Sequence, residues 1–286
     1  MSDRPRRRAR LIEHGRAAFE TLLLERVLRR PFVFEDSRGL RYVLYPGENA
    51  RAYLDNRGNY EVAETRFCGD VLSPGDVAVD VGANIGLYTL LFSRLVGEHG
   101  RVHSFEPAPE NARRLRVNLL LNGAENVHLA EQAVYSRSGT VTLNLFGEGL
   151  GPWNTLGRPT LPDPFNPGRT VSPSSSVDVP ATTLDEYAAA ALIDRIALLK
   201  IDVEGAEPDV LAGAARLLAE HRIGTIMFEV SLPQSETLGH DATEPFAQLE
   251  AAGYATHRIE PDGSLGARVA RAEERYANYA AVLADG

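Results

Sequence analysis

The sequence predicts an α/β protein, a doubly wound parallel sheet that closes on an antiparallel pair. Three observations predict it. From residue 77 onward, β-branched apolar runs alternate with stretches of helical spacing, the pattern of a sheet covered on both faces. One such run, VAVDVG, ends in an acid and a glycine-rich turn, VGANIG, that opens a helix. The last two β-type runs, YATHRIEP and YANYAAVLA, have no helix between them, and a parallel return needs a longer crossover.

Each element follows from its residues. Residues 9–30 carry Leu11, Ala18, Phe19, Leu22, Leu23 and Val27 near the helical period. PFVFEDSRGLRYVLYP reads as two strands around a Ser-Arg-Gly turn. Residues 60–72 read as a helix and Ser73–Asp76 as a turn. Strand and helix then alternate: VAVDVG, IGLYTLLFSRLV, RVHSFEP, PENARRLRVNLLLNG, VHLAEQAV, and the strand TVTLNLF. After a gap come TTLDEYAAAA as helix, IALLKIDVEG as strand, PDVLAGAARLLAEH as helix, IGTIMFEV as strand and FAQLEAAGY as helix. The gap, residues 147–181, is rich in Gly, Pro and Ser and reads as an irregular insertion, its SPSSS part flexible. Trp153, the only Trp, marks its GPWNTLG end as a lid or acceptor wall. The expected division is an extension of helix and hairpin over 1–59 and a main domain over 60–286, interrupted at 147–181.

Composition narrows the class. The chain has 286 residues, 44% hydrophobic and 24% charged, enough for a full core. No apolar run reaches the roughly 20 residues of a membrane span, and no apolar leader follows the basic N-terminus, so the reading is a cytoplasmic protein without a membrane partner. Its one cysteine, Cys68, rules out an intrachain disulfide and a thiolate zinc site. A net charge of −9 disfavours nucleic acid. The run Arg4, Arg6, Arg7, Arg8 and Arg10 reads as a solvated tail. A homo-oligomer stays open. Lys200 is the only Lys among 30 Lys and Arg residues, which hints that an ammonium rather than a guanidinium is needed there.

The turn at 80–86 is a nucleotide corner, but Asp80-Val81-Gly82-Ala83-Asn84-Ile85-Gly86 is not G-x-G-x-x-G. Asn84 stands at the second glycine and Gly86 comes one residue early, a spacing that suits a ligand without a pyrophosphate. Glu106, before Pro107 at the next strand end, is placed to accept ribose hydroxyls. Gln132 and Ala133 are placed to border an adenine. Tyr60 and Glu61 either contact an amino acid end of that ligand or, for Glu61, cap the helix.

These residues resemble a known family. VAVDVGANIGLYT, the FEP at 105–107, TTLDEY, LLKIDVEGAE and the late FEV are similar to the FkbM-type family of S-adenosylmethionine-dependent methyltransferases, over about residues 60–230. The terminal NYAAVL resembles that family's last strand. The resemblance implies a seven-strand class I methyltransferase sheet, Rossmann-like, with S-adenosylmethionine as donor. It also implies O-methylation of a small molecule, a sugar moiety or a secondary metabolite.

At the other strand ends, Lys200, Asp202 and Glu204 fall on one side if the backbone stays extended, and Glu229 ends the next strand. Asp202, then Glu204, is the candidate base or orienting group, and Lys200 the group that stabilises an alkoxide or tunes the carboxylates. A rival reading has Asp202, Glu204 and Glu229 hold Mg²⁺, although Lys200 competes for them. A plain ion pair between Lys200 and Asp202 is the third. His240 is a candidate acceptor-site base, and Trp153 and Glu229 candidate acceptor contacts; the seven histidines show no metal-ligand spacing. Other classes remain: a nicotinamide oxidoreductase, which lacks its glycine fingerprint here; a non-catalytic binding protein; and a nucleic-acid methyltransferase, which the acidic balance opposes.

Overall fold

The computed structural model describes residues 31–45, 61–147, 150–162, 168–241 and 243–284. The helix expected over 9–30, the basic tail and Tyr60 lie outside the described residues. The chain divides into two compact units, residues 1–60 with 148–150 and the remainder.

Of the first unit, a hairpin is described. β1 (Phe32–Glu35) pairs antiparallel with β2 (Arg41–Leu44), Phe32 opposite Leu44. The turn is organised by Asp36, whose Oδ1 accepts the N–H groups of Arg38 and Leu40.

The second unit begins with α1 (Val62–Val71), β3 (Val77–Val81), α2 (Leu87–Val96), β4 (Arg101–Phe105) and α3 (Pro109–Asn122). Then follow β5 (Val127–Ala130), β6 (Ala133–Val134), β7 (Gly139–Leu145), the short ladder β8 (Leu161–Pro162) and β9 (Thr170–Val171), and β10 (Ser175–Thr182). The second half holds α4 (Leu184–Ala190), β11 (Ile196–Ile201), α5 (Glu207–Ala212), α6 (Ala215–Ala219) and β12 (Ile223–Ser231). It ends with α7 (Leu232–Leu238), α8 (Glu244–Ala251), β13 (Tyr254–Ile259), β14 (Leu265–Arg268) and β15 (Tyr276–Leu283).

The main sheet has the order β14-β13-β15-β12-β11-β3-β4-β5. β3 pairs in parallel with β11 on one side and β4 on the other, so the chain reverses its direction of travel there. Strand ends diverge at such a point and leave a crevice. β15 runs antiparallel to both β12 and β13, as the missing helix requires. The seven strands expected are all present; the eighth, β14, is a hairpin addition at the edge beside β13.

Four departures from the sequence reading have local causes. VHLAEQAV is two strands: β5 stays in the main sheet, while β6 joins β10 and β7 in a separate three-stranded sheet. The helix over 208–221 breaks into α5 and α6 at Gly213, whose carbonyl accepts the N–H of Asp185 and which has no room for a side chain beside the carbonyl of Tyr135. The insertion is not irregular throughout. Ser175 and Ser176, read as flexible, begin β10, whose Val177, Val179 and Ala181 alternate inward onto Leu143, Ala133 and Ala108. Finally, α7 follows β12 directly, in a stretch to which the sequence reading assigned no element.

The core lies where β12, β11 and β3 meet the helices, and Phe228, Phe246 and Tyr279 form an aromatic cluster within it, with ring centroids 5.0–5.8 Å apart. Truncation of Phe228 empties the centre of that cluster. Phe228→Ala is expected to cost about 3–5 kcal/mol in a guanidinium unfolding titration, against less than about 0.5 kcal/mol for Leu120→Ala on the exposed face of α3.

Candidate active site at the strand ends

The crevice between β3 and β11 is built around one buried cation. Lys200 is 2% exposed and lies in register with Asp80. Its Nζ donates to Asp202 Oδ2 at 2.9 Å and stands 4.5 Å from the centroid of the Tyr88 ring. Burial opposes the charge on Lys200, but Asp202 and Asp80 more than offset it, so the ammonium titrates above its ordinary range. Asp80 Oδ2 accepts the Thr89 hydroxyl at 2.6 Å, and its other oxygen has no partner among the described residues. Burial raises Asp80, against the pull of Lys200 and Thr89. The Tyr88 hydroxyl donates to the Glu61 carboxylate, and burial keeps that phenol protonated. Glu61 is the first residue of α1's N-terminal boundary, yet its side chain does not cap the helix. It turns to Tyr88 instead, so the capping reading fails.

The glycine turn is closed on itself. The N–H groups of Gly82 and Ala83 both donate to the carbonyl of Phe105, at 3.0 and 2.9 Å. That of Asn84 donates to Glu106 Oε2 at 2.7 Å, and that of Gly86 to the carbonyl of Ala83 at 2.8 Å. Gly82 has φ +84°, and a Cβ there would lie 1.7 Å from the carbonyl oxygen of Asp202. Glycine at this position is therefore what lets the end of β11 come down onto the end of β3. Asn118 on α3 holds the turn from behind through the carbonyl of Ile85, at 2.8 Å.

Glu106 ties two segments together, since its Oε1 also accepts the N–H of Ala108 at 2.9 Å. Burial pushes it up to about 7, against these backbone donors. The Asn111 side chain adds a further hydrogen bond to the carboxylate. Pro107 beside it is half-buried, Gln132 is half-exposed at the corner between β5 and β6, and Ala133 packs with Ala108. These residues are brought together on the β4–β5 side of the crevice.

On the β12 side, Glu204 and Glu229 join Asp202. Burial raises Glu204 well above the usual carboxylate range, and repulsion from Asp202 and Glu207 adds to it. Burial does the same for Glu229, reinforced by Asp202, Glu204 and Glu61. The sequence places Lys200, Asp202 and Glu204 on one side of an extended chain; that geometry holds as far as Asp202, whose N–H still donates to the carbonyl of Val81 at 2.9 Å. Beyond it the backbone turns, with Glu204 at φ +54° and Gly205 at φ +104°. A cavity of about 370 Å³ opens beside Glu229 and Glu61, walled by Arg258, Tyr276 and Tyr279.

Two expected contacts are placed differently. His240 is not brought to the cluster. Its Nδ1 meets Glu244 Oε2 at 2.6 Å and its Nε2 meets Asp209 Oδ2 at 2.9 Å, so both nitrogens are engaged elsewhere. Burial lowers His240, but those two carboxylates outweigh it and leave it raised. Trp153 packs edge-on against Phe146, 6.0 Å between centroids, in a segment fixed by Asn144. The magnesium reading finds no ligand set: among the described residues no three His, Cys, Asp or Glu side chains are grouped to hold a metal. Nor does a helix among them have the length and apolarity to cross a membrane.

Sequence reasoning missed Glu207, Thr155 and Gln234. Glu207 is 1% exposed, and its Oε1 accepts the N–H groups of Val203 and Gly205 at 3.2 and 3.1 Å. It is the acid that shapes the turn after β11, and it stands within KIDVEGAE, where it was legible only as part of the motif.

Residues 80–255 match the Methyltransferase FkbM domain, more than half of the chain. The chain belongs to that family. Among curated relatives, 31-O-demethyl-FK506 methyltransferase FkbM of Streptomyces tacrolimicus is 32% identical over 169 residues, 51% of this chain and 62% of its own length. The 2-O-methyltransferase NoeI of Sinorhizobium fredii is 29% identical over 152 residues, 52% of this chain and 61% of its own. The chain thus spans about six tenths of the relatives it matches. A methyltransferase of Streptococcus mutans solved with S-adenosylhomocysteine superposes at a TM-score of 0.43 and 10% identity, over 76% of this chain and 94% of that one. A likeness at that level adds nothing to the family assignment.

Glu207 offers a clean test of the site's electrostatics. Its second oxygen is buried without a partner among the described residues, and burial pushes its carboxyl up from 4.5 to about 7. Between those values the folded state holds more protons than the unfolded one, so this group's contribution to stability falls as pH rises. Glu207→Gln keeps the accepting oxygen and removes the charge. It is expected to be near neutral at pH 4.5 and to stabilise by on the order of 2 kcal/mol above pH 7.5, read from urea unfolding at both pH values.

Proposed function

We propose that this protein is an S-adenosylmethionine-dependent methyltransferase that methylates a hydroxyl of a small molecule, a sugar moiety or a secondary metabolite. The observation that carries the donor is the closed turn. Its amide groups point inward to Phe105, Glu106 and Ala83, so they are not free to cradle a pyrophosphate. A dinucleotide loses its main contact there, and a donor with no phosphate loses nothing. The charge balance agrees. Glu61, Asp80, Asp202, Glu204 and Glu229 surround the Lys200 ammonium, a surplus of acid that favours a sulfonium and an ammonium. Glu106 is the ribose residue, with Gln132 and Ala133 beside the adenine.

When bound, the donor supplies a methyl group on a sulfonium, already a good leaving group. The chain has two tasks: to hold an acceptor oxygen about 3 Å from the methyl and to remove its proton. Asp202, paired with Lys200, orients the acceptor hydroxyl. Glu204, with a raised carboxyl, takes the proton, and Glu229 lines the acceptor side. The hydroxyl acceptor rests on the relatives named as O-methyltransferases and on a carboxylate base, which an amine acceptor would not need. The cytoplasm is the compartment this chemistry fits, since it holds the donor.

The test is transfer from donor labelled in the methyl group to a panel of macrolides and glycosylated metabolites. The wild-type chain is expected to label a hydroxyl. Asp202→Asn is expected to lose about a hundredfold or more of the rate while S-adenosylhomocysteine affinity changes less than about fivefold. Donor binding without transfer to any hydroxyl of the panel would favour a non-catalytic protein.

A further inference from the structure

Two buried side chains outside the acid cluster act on one residue within it. Thr155 is 1% exposed, in the segment after β7, and its hydroxyl donates to the backbone carbonyl of Glu204 at 2.6 Å. The same hydroxyl accepts the N–H of Gly157 at 3.1 Å. Gln234 is 1% exposed, on α7, and its Nε2 donates to Glu204 Oε2 at 2.9 Å. The carbonyl end of Gln234 is fixed in turn by the Ser231 hydroxyl. Glu204 is thus held at both ends, main chain and side chain, from two different elements.

The grip explains two oddities. Glu204 has a left-handed backbone, φ +54°, which a non-glycine residue adopts only when its surroundings impose it. The next residue, Gly205, lies so close to α7 that a Cβ on it would stand 2.6 Å from the backbone of Gln234 and Ser235. A side chain at 205 would push Gln234 away from Glu204. The segment that carries Thr155 is rigid for its own reasons. Asn144, buried on β7, donates to the carbonyls of Leu156 and Gly157, and its backbone pairs with that of Thr155. Gly157 also meets Thr237 of α7 closely, so segment and helix are packed together.

We propose that Thr155 and Gln234 are positioning residues that clamp Glu204 as the proton acceptor of methyl transfer, leaving its Oε1 as the oxygen that receives the proton. This rests on the methyltransferase reading and deepens it. In the step, the hydroxyl proton passes to Glu204 Oε1 as the acceptor oxygen's lone pair forms the bond to the methyl carbon. The carbon–sulfur bond breaks and its electron pair stays on sulfur. Products are the methyl ether, a neutral thioether and a protonated Glu204. Oε1 has no partner among the described residues, whereas Asp202 is already paired with Lys200. The charged groups facing Glu204 are Asp202 and Glu207 in its own turn, Lys200 on β11 and Glu229 on β12; the Gly151–Gly157 segment brings none.

The experiment follows the Glu204 carboxyl by carbon-13 NMR in the full chain labelled at glutamate Cδ, with Glu204→Gln to assign the signal. In the wild type it is expected to titrate above the usual carboxylate range. Gln234→Met fills the same space without a donor that favours the charged form, so the titration is expected to rise further, by about half a pH unit or more. Thr155→Val, equal in size, is expected to shift the titration too, and Thr155→Ser, which keeps the hydroxyl, to restore it. Titrations that stay at the wild-type value in both Gln234→Met and Thr155→Val overturn the clamp. Should one of those two fail to fold, the other decides alone. S-adenosylhomocysteine calorimetry on the same samples separates the two claims. A chain that does not bind it refutes the donor reading whatever the titration does; a chain that binds it with an unmoved titration refutes only the clamp.

Discussion

The buried ammonium of Lys200 is the constraint on which the rest of this site depends. A charge this deep costs several kcal/mol unless it is paired. Asp202 pairs it directly, Asp80 faces it in register across the strands, and Tyr88 offers a ring face. Each partner then imposes a condition. Asp80 must sit on β3, which fixes the register with β11. Asp202 must come close to the start of the next turn, which leaves only room for Gly82. Tyr88 must point inward, which ties α2 to Glu61 at the start of α1. A guanidinium is broader and flatter than an ammonium and does not fit three partners arranged in this way. That is a physical reason for a lone Lys in a chain that otherwise uses Arg.

Five carboxyl groups surround the Lys200 ammonium, more acid than that one ammonium offsets. Burial responds by raising Glu61, Asp80, Glu204 and Glu229. A cationic ligand relieves that strain, and the neutral thioether left after methyl transfer relieves less of it. Under the proposed function, the electrostatics that would attract a sulfonium donor would also help to release the neutral product.

Much of this was legible in the sequence, for physical reasons. Parallel strands buried on both faces must be runs of β-branched residues, so VAVDVG and IALLKI stand out. The turn at 80–86 was legible because close backbone approach needs glycine, and the pairing of Lys200 with Asp202 because alternation puts them on one side. What was hidden depends on partners distant in sequence. Glu204 leaves the extended path because Glu207, Thr155 and Gln234 hold it. His240 has a plausible place in the chain but is captured by Asp209 and Glu244. β10 did leave a signal, the alternation of Val177, Val179 and Ala181, which the surrounding Ser and Pro obscured. Thr155 left none; a threonine in a Gly-rich segment looks like any other.

The central claim is that the turn at 80–86 and the acid at 106 hold S-adenosylmethionine. Its most direct test is calorimetric titration of the full chain with S-adenosylhomocysteine, with NAD as the control, repeated on Glu106→Ala. The expected result is micromolar binding of the adenosyl ligand, no binding of NAD, and loss of affinity in the variant. Binding of NAD, or no binding of S-adenosylhomocysteine by the intact chain, would contradict it.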